Sequence, residues 1–336
     1  MEAYPPPAKG AREARLPSHQ ATVTTTARLH LGFLDPSGRG TRPFGSFGLS
    51  LDRPGTRLTL RRAEAPEVSG PESERALRYL TAIAKSFRFP KAYALNVEEA
   101  IPPHAGLGSG TQLALAVGSA FAALGGLRLD AQDVAARLGR GARSGIGIAT
   151  FALGGAVLNG GPRPDAPPQL VSRLPFPSAW RVLLILDPGA QGLAGAGETA
   201  AFDQLPDFPE SETAELHRRI LQIALPALAA SDFAGFCAQV GYLQAVMGRY
   251  FGPLQGGAYT SPAVSAVLEW LRGQGLTGIG QSSWGPTGFA FVPSQASGEA
   301  LLGEVTARGH DTGLGFELAQ GRNEGAIIET SQVEIR

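Results

Sequence analysis

The sequence predicts an α+β fold in two domains. Strand-like and helical stretches are mixed along the 336-residue chain without the strict βαβ alternation of a doubly wound sheet. A proline-rich stretch at 162–168 divides the pattern into an N-terminal domain (21–168) and a C-terminal domain (169–336), after a floppy tail at 1–20. A glycine-rich turn at 102–110, opening a long apolar helix, marks where the first domain meets a ligand.

The elements follow in chain order. Residues 21–29 are rich in Thr and Val and read as a strand, and 56–61 alternate as a second. The segment 32–48 between them is crowded with glycine and proline and reads as a loop or a pair of turns. Residues 74–86 place Leu77, Leu80, Ile83 and Ala84 on one side of a helix. A strand at 93–98 leads into the 102–110 turn. Leu113, Val117, Ala120, Phe121 and Leu124 then follow helical spacing until Gly125-Gly126 stops it. Asp130 is a suitable N-cap for a helix reaching about 140, and an apolar run at 146–153 lies inside glycine-rich 141–161. In the second half 181–186 is a strand and 189–197 a flexible loop, while 212–230, 233–247, 262–273 and 297–308 are helical. A second Gly/Ser-rich turn lies between short strands at 278–292, and 325–335 closes as a strand.

Composition removes several function classes. Formal net charge is zero, which leaves no electrostatic footprint for nucleic acid or a membrane surface. No apolar run approaches the roughly 20 residues of a membrane span, and the tail lacks the hydrophobic centre of a secretory signal. A lone cysteine, Cys237, excludes an internal disulfide and makes a cytoplasmic location the default. No Cys/His cluster has zinc spacing. Lysine is confined to Lys9, Lys85 and Lys91, so anion binding falls to arginine, whose planar fork suits phosphate and carboxylate.

The most informative stretch is Pro102-Pro103-His104-Ala105-Gly106-Leu107-Gly108-Ser109-Gly110-Thr111-Gln112. Alternate glycines let backbone approach a ligand, and the following helix aims its free N–H groups and positive dipole end there. Phosphate suits such a loop. The stretch lacks the lysine of a P-loop and the spacing of a dinucleotide fingerprint. A turn that merely caps the helix is the bland alternative.

Pro-x-x-x-Gly-Leu-Gly-Ser-Gly-Thr at a helix start resembles the central motif of the GHMP superfamily, the galactokinase, homoserine kinase and mevalonate kinase group. Arg143-Ser144-Gly145-Ile146-Gly147 falls where those kinases carry a Ser-Gly-x-Asp-like segment. Gly280-Gln281-Ser282-Ser283-Trp284-Gly285-Pro286-Thr287-Gly288 falls where they carry a C-terminal glycine-rich loop. The resemblance implies a GHMP-kinase-like fold, with an N-terminal domain like ribosomal protein S5 domain 2, a ferredoxin-like C-terminal domain, and the site between them. It departs at Gly147, where many of these kinases carry an Asp that acts as base or orienter.

Within the superfamily, Ala27-Arg28-Leu29-His30-Leu31-Gly32-Phe33-Leu34-Asp35, Arg42-Pro43-Phe44-Gly45-Ser46-Phe47-Gly48-Leu49 and the 280–287 segment resemble the β-ribofuranosylaminobenzene 5′-phosphate synthases. That resemblance implies condensation of phosphoribosyl pyrophosphate with 4-aminobenzoate, releasing carbon dioxide and pyrophosphate, in tetrahydromethanopterin biosynthesis. It also implies Mg2+ on the pyrophosphate. An ATP-using small-molecule kinase and a phosphate-ligand sensor without turnover are the competing readings.

On the synthase reading, Gly106, Gly108, Ser109, Gly110 and Thr111 hold one phosphate group, and Ser282, Ser283 and Gly285 another. Asp35 faces positive charge on the ribose or the acceptor amine, or only shapes the Asp35-Pro36-Ser37-Gly38 turn. Arg42 grips the acceptor carboxylate and so orients the ring, or is a solvated loop residue. His30 is a proton carrier or a wall residue. Arg28 meets phosphate or a surface acid, Ser144 touches ligand or caps backbone, and Trp284 stacks on the aromatic acid or packs. The partners are these small molecules, and a homodimer is a base-rate expectation.

Overall fold

The computed structural model describes residues 19–37, 43–87, 92–163, 166–193, 195–309 and 313–331. Strands β1 (Gln20–Phe33), β2 (Ser46–Arg62) and β3 (Glu67–Ser69) precede helix α1 (Ser73–Phe87). Strand β4 (Tyr93–Glu99) leads into helices α2 (Ser109–Gly125), α3 (Ala131–Arg137) and α4 (Ile146–Leu153), then strands β5 (Ala156–Asn159) and β6 (Leu170–Leu174). The chain continues through β7 (Arg181–Leu186), α5 (Ala196–Gln204), α6 (Glu210–Arg219), α7 (Leu225–Ala229), α8 (Phe233–Gln255) and α9 (Pro262–Gly273). It ends with β8 (Ile279–Gln281), β9 (Gly288–Val292), α10 (Gln295–Gly309), β10 (Gly315–Gln320) and β11 (Ile327–Ser331).

The fold is α+β, with two sheets. The first follows β11-β1-β2-β4-β3, with β5 and β6 extending from β2; the second is antiparallel, in the order β10-β7-β9-β8. A cut at 168 does not follow these sheets. Strand β6 still pairs with β5, and β11 returns to β1 with Gln20 opposite Ser331. Most of the tail expected at 1–20 lies outside the described residues, and β1 already begins at Gln20.

Burial explains the layers. In β7, Val182 and Leu184 point into one core while Leu183 and Ile185 point into another, the period of two that a sheet covered on both faces requires. Leu183 and Ile185 meet Val264, Leu268 and Leu271 of α9. Val182 and Leu184 share a core with Leu29, Leu31 and Phe33 of β1 and with Val240, Leu243 and Met247 of α8. This core welds the two halves together. On the outer side of the first sheet, Leu113, Val117 and Phe121 of α2 pack with Val23, Leu58 and Leu95. Helix α2 ends at Gly126 in the left-handed conformation (φ +63°), and Asp130 caps α3, as the sequence suggested, forming a capping box with Asp133.

Several elements differ from expectation. Strands β1 and β2 run into the segment read as loop, because Gly32 and Gly48 serve close packing rather than turns. A Cβ at Gly32 would lie 2.8 Å from Leu243 Cγ, and one at Gly48 would lie 2.4 Å from Ile146 Cγ2. Helix α1 buries Ala76, Leu80 and Ile83, leaving Leu77 on the exposed side. The expected helix at 212–230 contains a π-helical turn at Ile220–Ala224, ahead of Pro226, which has no N–H to continue the ordinary ladder. The loop expected at 189–197 gives way to α5 from Ala196.

Gly303 in α10 is exposed and has nothing within 4 Å of its added Cβ. Gly303→Ala should therefore stabilise the protein by up to about 1 kcal/mol, read as a rise in Tm.

Candidate functional site

Two glycine-rich loops meet backbone to backbone. Gly106 has φ +78°, and a Cβ there would lie 2.3 Å from Ser282 O and 2.7 Å from Gly285 Cα. A Cβ at Gly285 would lie 2.2 Å from Gly106 Cα. Gly192 closes the same junction: its N–H donates to His104 O at 2.9 Å, and its Cβ would lie 2.5 Å from Gly285 Cα. The fully buried Ser282 hydroxyl donates to Gly106 O at 2.8 Å and accepts from the His30 N–H at 3.0 Å.

This arrangement corrects one expectation. The N–H groups of Ser282, Ser283 and Gly285 donate to Thr287 O, His30 O and Ser282 O respectively. With those donors and the Ser282 hydroxyl already engaged, the 282–285 loop is a structural clamp rather than a second phosphate cradle.

The first loop retains the features of an anion site. Gly108, at φ +85°, caps α2 without a side-chain hydrogen bond, so Ser109 and Gly110 sit at the helix's positive end. Arg28 lies beneath the loop. Its Nη1 donates to Gly106 O, and a Cβ at Gly108 would lie 3.1 Å from its Cγ. Burial pushes the Arg28 guanidinium down to about 10, opposed by Glu198, so it stays charged at neutral pH. On the other flank, a Cβ at Gly110 would find Tyr79 Oη at 3.8 Å, Arg75 Nη1 at 3.9 Å and Arg140 Nη1 at 4.0 Å. Arg140 donates to the Tyr79 hydroxyl and sits over its ring, while Arg75 pairs with Glu72 at 2.8 Å. Two guanidinium groups so close to a helix N-terminus favour an anion there. Sequence reasoning missed Arg75, Tyr79 and Arg140, because only the packing of α1 and of the turn after α3 around α2 brings them together.

The remaining candidates fall into two groups. Near α4, Ser144 Oγ shares a 2.8 Å hydrogen bond with Ser46 Oγ and accepts from the Ile146 N–H at 3.3 Å, the capping role. Arg143 pairs with Glu198 at 2.8 Å. Gly147 packs against α2: a Cβ there would lie 2.9 Å from Thr111 Cγ2, and its carbonyl accepts from the buried Gln112 amide. A carboxylate side chain does not fit this position without displacing Thr111. In the β1–β2 hairpin, Asp35 is buried and accepts from both the N–H and the hydroxyl of Ser37, so the turn role is realised. Arg42 lies outside the described residues.

His30 and Trp284 sit in an aromatic nest. The ring centroids of His30 and Phe33 are 4.5 Å apart, and Trp284 packs on Phe251 at 4.3 Å and Phe202 at 5.4 Å. Burial, then the charge of Arg28, pushes His30 down to about 3. It is therefore neutral near pH 7, and its ring forms part of the aromatic wall. Burial pushes the Cys237 thiol up to about 12, which removes it as a nucleophile. Among the described residues no group of three or more His, Cys, Asp or Glu could hold a metal ion, and no helix is long and apolar enough to cross a membrane.

Comparison with known proteins shows the family and the fold. Residues 74–155 match the GHMP kinases N terminal domain, and 224–311 match GHMP kinases C terminal. The chain is 31% identical over 327 residues to a beta-ribofuranosylphenol 5'-phosphate synthase of Archaeoglobus fulgidus, covering 91% of this chain and 99% of that protein. It is 28% identical over 334 residues to the protein of the same name in Methanothermobacter thermautotrophicus, covering 91% and 98%. Among solved structures it resembles a galactokinase of Lactococcus lactis (TM-score 0.67, 14% identity, covering 93% of this chain and 95% of that one). It also resembles a homoserine kinase of Cytophaga hutchinsonii (TM-score 0.65, 16% identity, covering 95% and 100%). These likenesses show the GHMP kinase fold.

Two outcomes follow. Gly285→Ala, which forces backbone apart from backbone, should cost about 1–3 kcal/mol in denaturant unfolding. Because His30 titrates at about 3 when folded against 6.5 ordinarily, the unfolded chain binds the extra proton between those values. The His30 contribution is thus fully present above about pH 6.5 and is lost as pH falls toward 3. His30→Leu should flatten that part of the Tm–pH curve, measured as the difference from wild type.

Proposed function

Because the chain belongs to the beta-ribofuranosylphenol 5'-phosphate synthase family, we propose that it joins phosphoribosyl pyrophosphate to a para-substituted benzoate. The acceptor is 4-aminobenzoate or 4-hydroxybenzoate, the second suggested by the name its relatives carry. The ribose C1′–O bond breaks and pyrophosphate leaves with the electron pair. The ring carbon bearing the carboxylate then bonds to C1′. Loss of carbon dioxide returns its C–C electrons to the ring and restores aromaticity. A para hydroxyl or amine pushes electron density onto that carbon, which is why the substituent matters.

The observation that carries this reading is the site's charge pattern: cations around the α2 N-terminus, and a glycine where a kinase carries its carboxylate. Arg75 and Arg140 flank Gly110 on one side while Arg28 underlies Gly108 on the other. Such a surface binds a polyanion and favours departure of pyrophosphate. The C1′ centre undergoing substitution needs no base to activate a hydroxyl, so Gly147 costs the reaction nothing. Magnesium enters as the salt of the sugar donor, held by its pyrophosphate and neutralising the leaving group. Asp35, whose Oδ1 takes the two Ser37 hydrogen bonds of its turn, is assigned through its carboxylate to the ribose cation, and Arg42 to the acceptor carboxylate. A cytoplasmic setting and its place in tetrahydromethanopterin biosynthesis belong to the same proposal.

Coupled assay of pyrophosphate release tests the reading. Release should require sugar donor, magnesium and a para-substituted benzoate together, and should ignore ATP. ATP consumption with formation of a phosphate ester would instead establish a kinase. Arg75→Ala and Arg140→Ala should each raise KM for the sugar donor roughly ten- to hundredfold, the loss of a charged hydrogen bond worth about 1.5–3 kcal/mol, with acceptor KM little changed. Arg42→Ala should show the opposite split, and a rise confined to sugar-donor KM would refute its assignment.

A further inference from the structure

We infer that His30 and Trp284 form the pocket that reads the para substituent of the aromatic acceptor. The inference rests on the synthase reading above and assigns one end of its acceptor. A narrow, water-sized cavity lies between β1 and α8, lined among others by His30, Phe33, Met247, Phe251, Ser283 and Trp284. Both ring nitrogens of His30 and the Nε1 of Trp284 are enclosed, with no hydrogen-bond partner among the described residues. Each residue is only 3% exposed. Buried polar atoms of this kind are ordinarily satisfied, so three on one small cavity point to a bound polar group.

The neighbouring amides do not supply it. Gln244 donates to Leu31 O and Gln281 O and accepts from the Gln281 N–H. Gln281 donates to Ser283 O and accepts from the Thr260 N–H. Gln255 donates to Ala258 O and accepts from the Gln281 amide. What remains open is the indole N–H, a donor only, and an imidazole that offers one donor and one acceptor when neutral. The low titration point of His30 keeps it in that form.

The cavity admits a substituent rather than a benzene ring, and Phe33, Phe251 and Trp284 are among its lining residues. A phenolic hydroxyl both accepts, from Trp284, and donates, to His30. An aromatic amine donates but accepts poorly, because its lone pair is delocalised into the ring. The pocket therefore selects the hydroxyl. It also sits beside the chemistry, since the His30 N–H and Gly106 O are joined through Ser282 Oγ.

The test compares benzoate, 4-hydroxybenzoate and 4-aminobenzoate by calorimetric binding and by kcat/KM with magnesium phosphoribosyl pyrophosphate. Wild type should prefer 4-hydroxybenzoate to benzoate by at least about tenfold in binding. Trp284→Phe, which keeps an aromatic side chain but removes the indole N–H together with its five-membered ring, and His30→Leu should each erode that preference about tenfold. Benzoate affinity and sugar-donor KM should change by less than about twofold, and His30→Gln should recover part of the preference. A wild-type preference unchanged in both folded variants would overturn the pocket while leaving the synthase reading intact. Wild type that binds no benzoate and forms no product would overturn both. Should His30→Leu fail to fold, Trp284→Phe alone decides.

Discussion

The contact of Gly106 with Gly285 is the constraint on which the rest of the site depends. It joins two loops far apart in sequence at backbone distance, and neither tolerates a Cβ. Ser282 completes it by linking β1 to the glycine-rich loop before α2 through one hydroxyl. The loop's glycines thus have two duties. Gly108 shapes the helix cap at positive φ, whereas Gly106 makes room for the opposing chain. Because the clamp bridges the halves, the α2 N-terminus, the β1 residues and the aromatic nest around Trp284 are held in fixed relation before any ligand arrives.

Electrostatics divides that fixed frame into two environments. At the α2 N-terminus, arginines surround a helix dipole, and their partial neutralisation by Glu72 and Glu198 leaves the balance positive. A few residues away along β1 the surroundings are aromatic and dry, and they strip His30 of its charge. A phosphorylated sugar suits the first environment and the para substituent of a benzene ring the second. That division, more than any single residue, is what a reaction joining those two molecules requires. The same frame in homoserine kinase and galactokinase shows that the fold alone does not determine the chemistry.

Much of the fold was legible because its signals are local. Gly125-Gly126 ends α2, Asp130 caps α3, and residues 181–186 form a strand with the expected limits. Short strands β3, β5, β6 and β10 carried too little pattern to be seen. Gly32 and Gly48 misled, since glycine marks a turn and a tight strand crossing alike. At the site, the glycine-rich turn opening α2 was readable from its motif, whereas the burial of Arg28 beneath it was not. Nor were Arg75, Tyr79 and Arg140, because their meeting is a property of how α1 and the turn after α3 pack around α2 rather than of any spacing. The 282–285 loop was located correctly and its role misjudged: a Gly/Ser-rich sequence looks the same whether its donors face a ligand or its own backbone.

The central claim is that the cationic site and the aromatic nest serve one decarboxylating ribosyl transfer. Its most direct measurement is carbon dioxide released from carboxyl-labelled 4-hydroxybenzoate and 4-aminobenzoate, with phosphoribosyl pyrophosphate and magnesium each omitted in turn. Release that needs every component, equals the pyrophosphate formed and is indifferent to ATP is the predicted result. Folded protein that releases no label under these conditions would contradict the account.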